Sequence, residues 1–484
     1  MKTPDLLRWL CGSLCSVMGT LSVAHAASPG VPDTLPSSNF DITSGWMHAE
    51  EARTPAPQQA APASSNSTLT LSAKELVQRP ALLQKALDSA VQRQDVKGVR
   101  FLLPLYASLP HRDEILVRFA RAFVARAEGR YATAIDEYRH ILAVRPELTP
   151  VRVQLAMTLF LDRQSEAARD QFRKAQGDAA LPAPVQGLVE QYIQALDRQT
   201  QWNVSLGVRY LQDDNVNNAP QQRSLATSSG VWTFPGPQAG HGLGYSASAV
   251  KDWELDAHLY ARLLGTVEGK TYWDNHAYDD VQTRLYGGML YRNGRHEVGV
   301  LPFFAYRWFG TAPYSHGPGL RVQETYALSP QWQVFGALEY GRLVYGSRSF
   351  LDGHTSMASV TLAYRPSARQ MWTIGVDGGG QHARDASNAY HLADVRLGWD
   401  QEWEHGLSTS MQVSAIRRWY QGPDFFDILR RDSEYVARLS VWRRDWQWLG
   451  LTPRLTLQGD RLDSNHFYYR TRKNQAFIEL SRSF

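Results

Sequence analysis

The feature that most constrains the fold of this chain is a regular alternation of residue character from Trp202 to its end. Every second residue from Trp202 to Tyr210 is apolar, and the residues between them are polar or small. The same pattern recurs at residues 256–263 and 393–400. Strands of this kind suit a barrel whose apolar faces meet lipid and whose polar faces line a lumen. We therefore predict an antiparallel transmembrane β-barrel over residues 201–484.

The connections between these strands predict the topology. Long connections, such as residues 212–242 and 309–318, alternate with short ones, such as residues 252–254 and the Asn293-Gly294 turn. The strands between the connections number about 14, and an even number puts both ends of the barrel on one side of the membrane. The short turns should lie on that side and the long loops on the other.

The aromatic residues are distributed as a membrane barrel requires. All but two of the 15 Trp and all but four of the 22 Tyr follow residue 201, where they can form girdles at the two membrane interfaces. The last alternating segment ends in Phe484, and a terminal aromatic residue is typical of outer-membrane barrels. A soluble β-sandwich, the alternative, would need neither such a terminus nor the alternation of long and short connections.

The amino terminus has the character of a secretory signal. Lys2 and Arg8 flank an apolar stretch, and Ala24-His25-Ala26 offers a small-x-small cleavage site. We predict a signal peptide over residues 1–26. The Pro-, Ala-, Ser- and Gln-rich residues 27–70 predict a disordered linker. Both cysteines, Cys11 and Cys15, lie in the predicted signal, so the mature chain would have no disulfide and no thiolate ligand.

The segment from 71 to 200 shows helical periodicity and an internal repeat. Small and aromatic positions of one unit recur in the next: Ala122, Ala134, Tyr138 and Ile141 as Ala156, Ala168, Phe172 and Ala175. This is the spacing of a tetratricopeptide repeat, in which small residues let paired helices approach each other and larger ones fill the groove between them. We predict a small all-α domain of this type in the periplasm. An ordinary helical bundle is the alternative.

The repeat alignment also indicates a face that could bind a client protein. Six residues on the first helix of each unit would line its concave side: Phe119, Phe123, Arg126, Val153, Met157 and Phe160. An apolar groove there suits an extended or helical segment of another protein. The alternative is that these residues pack against a capping helix, which a domain of so few repeats needs.

The sequence indicates neither a cofactor nor a bound metal. The net charge of +4 gives no nucleic-acid footprint, and no glycine-rich phosphate loop occurs. Residues 213–217 resemble the start of a calcium loop, but Asn218 stands where that loop needs Gly and Ser224 where it needs Glu. We predict no catalytic residues. A barrel enzyme stays open as an alternative because of rim histidines such as His354, His382, His391 and His405.

The combination of signal peptide, short tetratricopeptide domain and barrel of about 14 strands resembles the surface lipoprotein assembly modulators, or Slam proteins. The most specific part of the resemblance is Asp214-Asn215-Val216-Asn217-Asn218-Ala219-Pro220, just after the first barrel strand. The resemblance implies an outer-membrane translocator. Its clients would be lipoproteins displayed on the cell surface, or related secreted proteins that capture haem or iron carriers. It also implies that the periplasmic repeats engage the client and the barrel delivers it outward.

The expected partners are therefore the client protein, outer-membrane lipid and the barrel-assembly machinery, with no nucleic acid. An exopolysaccharide export porin also joins tetratricopeptide repeats to an outer-membrane barrel and remains an alternative. A pore for an anionic polymer should have a lumen dense in Arg and Lys. The predicted inward faces instead mix both signs of charge: Asp256, Arg262, Asp394, Arg396 and Asp400.

Overall fold

A computed structural model describes residues 72–178, 181–227, 230–447 and 451–483. The predicted signal peptide, the predicted linker of residues 27–70 and Phe484 lie outside the described residues. Helices come first along the described chain, and a closed barrel follows them. This is the predicted fold class.

Eight α-helices form the first region of the described chain. Ser72 and Glu75 form a capping box at the start of the first helix, and Asp113 caps the fourth by accepting hydrogen bonds from the amides of Ile115 and Leu116. The helices are α1 (Ala73–Val77), α2 (Pro80–Gln92), α3 (Val96–Ala107), α4 (Glu114–Ala127), α5 (Tyr131–Val144), α6 (Thr149–Leu161), α7 (Ser165–Gln176) and α8 (Ala183–Gln199).

The predicted repeat is visible in the packing of these helices. Ala122 and its counterpart Ala156 are fully buried, as are the aromatic residues Tyr138 and Phe172 one helix later. Helices α4 and α5 form one unit, and α6 and α7 form the next. Within the described residues, no helix is both long and apolar enough to cross a membrane.

Fourteen strands close the barrel, as the sequence predicts, and a small hairpin sits in its first loop. The barrel strands are β1 (Asn203–Asp213), β4 (Gly240–Asp256), β5 (Leu259–Tyr272), β6 (Asp280–Arg292), β7 (His296–Phe309), β8 (Ala312–Ala327), β9 (Trp332–Tyr345), β10 (Gly353–Ser367), β11 (Gln370–Ala383), β12 (Tyr390–Glu402), β13 (Leu407–Pro423), β14 (Leu429–Arg443), β15 (Thr452–Ser464) and β16 (Thr471–Ser483). The hairpin consists of β2 (Ser224–Thr227) and β3 (Gly230–Thr233). Neighbours in sequence pair antiparallel, and β1 closes the barrel by pairing with both β4 and β16.

The two faces of the barrel wall have opposite chemistry. Large apolar side chains such as Leu338 (61% exposed), Leu397 and Ile478 stand on the outer face. Polar groups on the inner face are buried in pairs, and Arg396 Nε lies 2.6 Å from Asp377 Oδ2. The predicted arrangement of lipid face and polar lumen is therefore present.

Two predicted connections are wrong. Residues 309–318 do not form a long loop, because only Gly310 and Thr311 separate β7 from β8. Both have left-handed φ angles, 56° and 69°, which permit a tight turn. The short turn predicted at residues 252–254 lies instead at residues 257–258. In both places the strands are longer than the roughly 9–11 residues needed to cross the membrane. Residues that resemble turn formers are therefore still paired with the neighbouring strand.

Candidate functional site

The six residues predicted to line a client-binding face lie on α4 and α6 and differ in exposure. Phe123 is 6% exposed, and Val153 and Phe160 are each 4% exposed, so all three belong to the helical core. The other three, Phe119, Arg126 and Met157, are partly buried at its edge. Of the six, only this second group could touch another protein without rearrangement. Client binding at this face remains a prediction.

The last helix packs over the second repeat. Tyr192 on α8 contacts Phe160 edge-on and stacks on Phe172, with both ring centroids 5.0 Å away. Helix α8 therefore occupies the position of a capping helix, which was the alternative interpretation of this face.

Arg126 donates a hydrogen bond to Gln154 and lies 5.9 Å from the ring centroid of Phe123.

A buried hydroxyl lies under the same face. Tyr138 is fully buried, and Phe119 meets its ring edge-on at 5.6 Å. Its hydroxyl has no hydrogen-bond partner among the described residues. Burial raises the pKa of Tyr138 to about 12, because ionisation would leave a charge without water.

The turn between α6 and α7 is hydrogen-bonded to the rim of the barrel. The hydroxyl of Tyr260 on β5 donates to the carbonyl oxygen of Arg163 at 2.5 Å and lies 3.3 Å from Ser165 Oγ. The amide of Glu166 donates to Glu254 Oε2 at 2.9 Å. We call this set of contacts between residues 162–166 and the adjoining ends of β4 and β5 the joint.

A second turn of the same rim supports the helices next to the joint. Arg295, in the β6–β7 turn, donates from Nη2 to the carbonyl oxygen of Glu128 at 3.1 Å. Gly294 lies against Tyr131 so closely that a Cβ there would stand 2.2 Å from its ring. Hydrogen bonding from Arg130 lowers the pKa of the Glu128 carboxyl. The Asn293-Gly294 sequence signalled a hairpin turn, but no signal in the sequence revealed that this turn would hold a helix.

Buried charges fix the strands that carry the joint. Arg292 donates to Asp252 Oδ2 at 2.6 Å and to Glu297 Oε2 at 2.7 Å. Arg262 donates to both oxygens of Asp252, at 2.7 and 2.8 Å. Paired guanidinium–carboxylate contacts of this kind are directional, so they hold β4 to β7 in a defined geometry.

At the opposite rim, the motif that carries the family resemblance forms a compact turn. Asn215 accepts from the amide of Ala219 at 2.8 Å and donates to its carbonyl oxygen at 3.0 Å. Asn217 binds the backbone of Gly236 and Gln238 at the far end of the loop. Asn218 has a left-handed φ of 47°. The side chains of Asn215 and Asn217 are therefore engaged in hydrogen bonds that shape the first long loop, and they are not free to bind a ligand.

The small hairpin in that loop packs on two other loops. Trp232 on β3 lies 5.9 Å from Phe426, and Phe234 lies 5.7 Å from Phe467 and 5.5 Å from Tyr468, all measured between ring centroids. The first loop thus crosses from β1 to the loops that follow β13 and β15. It therefore packs against other loops on the side of the barrel where β1 meets β16.

A closed 14-strand barrel with tetratricopeptide repeats on its short-turn rim defines the class: an outer-membrane β-barrel protein with an appended helical domain. Two family models match the chain. The model for surface lipoprotein assembly modifiers matches residues 202–484, and the model for the N-terminal tetratricopeptide repeats of the same proteins matches residues 69–172.

Curated relatives agree with these models. Surface lipoprotein assembly modifier 1 of Haemophilus influenzae is 35% identical over 86% of this chain and 88% of its own length. The surface lipoprotein assembly modifier of Pasteurella multocida is 33% identical over 97% of this chain and 96% of its own length. A more distant relative, the hemophilin secretion modulator of Acinetobacter baumannii, is 25% identical over 84% of this chain and 86% of its own length.

The chain belongs to the surface lipoprotein assembly modifier family, and its barrel is an outer-membrane barrel. The family is one of assembly factors, and its name implies surface lipoproteins as partners. A solved FadL homologue of Pseudomonas aeruginosa covers 58% of this chain and 89% of its own length, at 10% identity and a TM-score of 0.35.

Proposed function

We propose that this chain is a translocator that delivers lipoproteins to the cell surface. In this proposal the helical domain lies in the periplasm and engages the client, and the barrel conducts it outward. The observation that carries the proposal is the joint, because it fixes the repeats at the rim of the barrel through residues 162–166. A client held by the repeats is therefore held next to the entrance of the lumen.

The proposed division of labour follows the proposed domains. Residues 1–26 serve as signal peptide and residues 27–70 as linker, residues 71–200 recognise the client, and residues 201–484 form the conduit. Outer-membrane lipid surrounds the barrel, and the barrel-assembly machinery inserts it. We propose no enzymatic step. The outward direction of transport would come from binding of the client at the rim that carries the joint and from folding of the client outside the cell.

Two client classes are consistent with the relatives' names. Most of the relatives named above are surface lipoprotein assembly modifiers, and one is a hemophilin secretion modulator. We propose surface lipoproteins as the main class, with secreted haem-binding proteins as a related one. The lumen is not dense in unpaired positive charge, because several of its arginines are neutralised, such as Arg396 by Asp377 at 2.6 Å and Arg418 by Glu434 at 2.6 Å. This does not favour an anionic polysaccharide.

The direct test is to co-express this chain with a lipoprotein encoded beside its gene and to count the client on intact cells with an antibody. Display should require the chain and should fail when residues 71–200 are deleted, provided that the barrel still reaches the outer membrane. Normal client display without the chain, or with the barrel alone, would disprove the proposal.

A charge reversal localises the client contact. Arg126→Glu changes the partly buried edge of the predicted face, whereas Arg139→Glu changes an exposed position on α5 outside it. We expect display to fall several-fold for Arg126→Glu and to remain unchanged for Arg139→Glu. Equal effects of the two substitutions would remove this face from the proposal while leaving the translocator itself standing.

A further inference from the structure

The two edges of β1 are paired to very different extents. β1 pairs with β4 at eleven positions, from Asn203 opposite Val250 to Asp213 opposite Gly240. Among the described residues it pairs with β16 at five positions, from Ser205 opposite Ser483 to Arg209 opposite Glu479. The ladder that closes the barrel therefore stops partway up the wall. Its missing part lies on the long-loop side.

The missing part leaves two strand edges facing each other. Residues 210–213 of β1 are paired with β4, and residues 471–478 of β16 are paired with β15, so both segments are well-formed strands. On their shared side, neither has a ladder partner among the described residues. Along this stretch the exposed residues change from Tyr210 and Ile478 to Gln212, Asn474 and Arg472, so the stretch begins at the outer membrane interface. A free strand edge there readily accepts another extended chain. We call this stretch the split seam.

Side chains bridge the split seam on the lumen side. Lys473 Nζ donates to Asp213 Oδ2 and to the carbonyl oxygen of Asn215, both at 2.9 Å. Lower down, the Arg209 guanidinium lies 5.3 Å from the ring centroid of Phe477. We call the contacts of Lys473 with Asp213 and Asn215 the latch. Asn215 belongs to the motif that shapes the first long loop, and Asp213 lies just before it at the end of β1, so the latch connects this loop to the seam.

The register of the paired half predicts which residues of the split half would face each other if the seam closed. Continuing its register by one residue puts Tyr210 opposite Ile478, and continuing it to the motif puts Asn215 opposite Lys473. The latch already joins the second of these pairs. Closing the split seam therefore needs no change of register, only the approach of two edges that are already aligned.

We propose that the split seam is a lateral exit through which an acylated client segment passes from the lumen to the outer leaflet, and that the latch controls its width. This inference rests on the proposed function, and it names the route and the chemistry of the segment. An acyl chain is poorly accommodated by a lumen of buried ion pairs such as Arg396–Asp377. A slit that begins at Tyr210, beside Trp273 in the outer aromatic girdle, lets the acyl chain reach the outer surface of the lipid without crossing the extracellular loops.

A disulfide lock tests the exit in the full-length chain. Tyr210→Cys with Ile478→Cys joins the two edges of the split seam. Tyr210→Cys with Leu243→Cys joins β1 to β4, where these residues are already opposite each other. Both pairs share one β1 position, and the only native cysteines, Cys11 and Cys15, lie in the predicted signal peptide. A short bis-maleimide replaces the disulfide if oxidation alone does not join the seam.

The readout is surface display of the lipoprotein used for the proposed function. We expect the locked seam to lower display at least tenfold. Reductant should restore display when the bond is a disulfide, and the locked β1–β4 control should display the client normally. Full display through a completely locked seam would overturn the lateral exit while leaving the translocator intact. No display even by the unsubstituted chain would instead refute the proposed function.

The latch has a readout that needs no client. In the seam double-cysteine chain, Lys473→Met should lower the yield of the seam disulfide at least threefold, because it releases the upper end of β16 from the motif. Lys473→Arg keeps a donor cation and should restore most of the yield. An unchanged yield in the Met variant would show that the latch does not set the width of the seam.

Discussion

The helical domain and the barrel follow the same physical rule in opposite directions. In the helical domain, Tyr138, Phe172 and Leu196 are buried at the centre, whereas the barrel places Leu338 and Ile478 on its outside. The charges are reversed as well: Asp377 and Asp394 are buried in the barrel, at 5% and 2% exposed. Each part turns its apolar side chains away from water, but water surrounds one part and lipid surrounds the other. An exposed apolar side chain therefore faces water in the helical domain before residue 201, whereas on the outer face of the barrel after residue 201 it faces lipid.

The largest effect should come from emptying the centre of the helical domain. Phe172→Ala removes a fully buried ring that stacks on Tyr192, and such truncations cost about 3–5 kcal/mol. The helical circular dichroism signal of the purified chain should be lost at a much lower denaturant concentration. The matched change Phe304→Ala, on the outer barrel face, should leave that transition unmoved. Equal sensitivity would mean that the two parts are not organised around different solvents.

A charge on the outer barrel face should have the next largest effect. Leu338→Arg puts a guanidinium among lipid tails in the middle of β9, at a cost of about 2–4 kcal/mol. Val144→Arg, at a position 73% exposed on α5, should cost almost nothing, because water solvates the new charge. The measurement is the fraction of folded barrel after insertion into vesicles, read from heat-modifiable gel mobility. A tolerated Leu338→Arg would contradict a lipid-facing β9.

Alkaline pH should weaken the helical domain through Tyr138. Burial raises the pKa of Tyr138 to about 12 in the folded state, whereas the unfolded residue ionises near 10. Since the unfolded state releases its proton first, stability is complete below pH 10 and falls by roughly 2 kcal/mol by pH 12. Denaturant titrations at pH 9 and 11 should show a larger loss for the unsubstituted chain than for Tyr138→Phe. Identical losses would mean that this hydroxyl is not buried.

The smallest effect concerns the border between the two parts. Tyr260→Phe removes the hydrogen bond to the carbonyl oxygen of Arg163, which is worth about 1 kcal/mol. Hydrogen exchange at the amide of Glu166, which is bonded to Glu254, should become about fivefold faster. Tyr340→Phe, on the outer barrel face, serves as the control and should leave this amide unchanged. Unaltered exchange in Tyr260→Phe would show that the joint is held by other contacts.

The sequence predicted the features that depend on local periodicity. The alternation from Trp202 to Tyr210 identified a membrane strand, and the spacing between Ala122 and Ala156 identified the repeat. It failed where turn-forming residues remain in a ladder, as at residues 309–318, because composition does not reveal where pairing ends. Phe123 and Phe160 belong to the predicted client-binding face, and the structure shows that both are buried. Helical periodicity shows which residues share a face but not which helix covers it.

The sequence by itself determined the two-part architecture, the number of strands and the side of each strand that meets lipid. Those properties follow from the two-residue alternation of the strands and from the tetratricopeptide spacing of the helices, which local stretches of chain carry. Only the tertiary structure decided that Tyr260 meets Arg163 and that Lys473 meets Asp213, across 97 and 260 positions of chain. It also decided where the β1–β16 ladder stops. Contacts between distant segments depend on how complete elements pack together, and no local pattern records that.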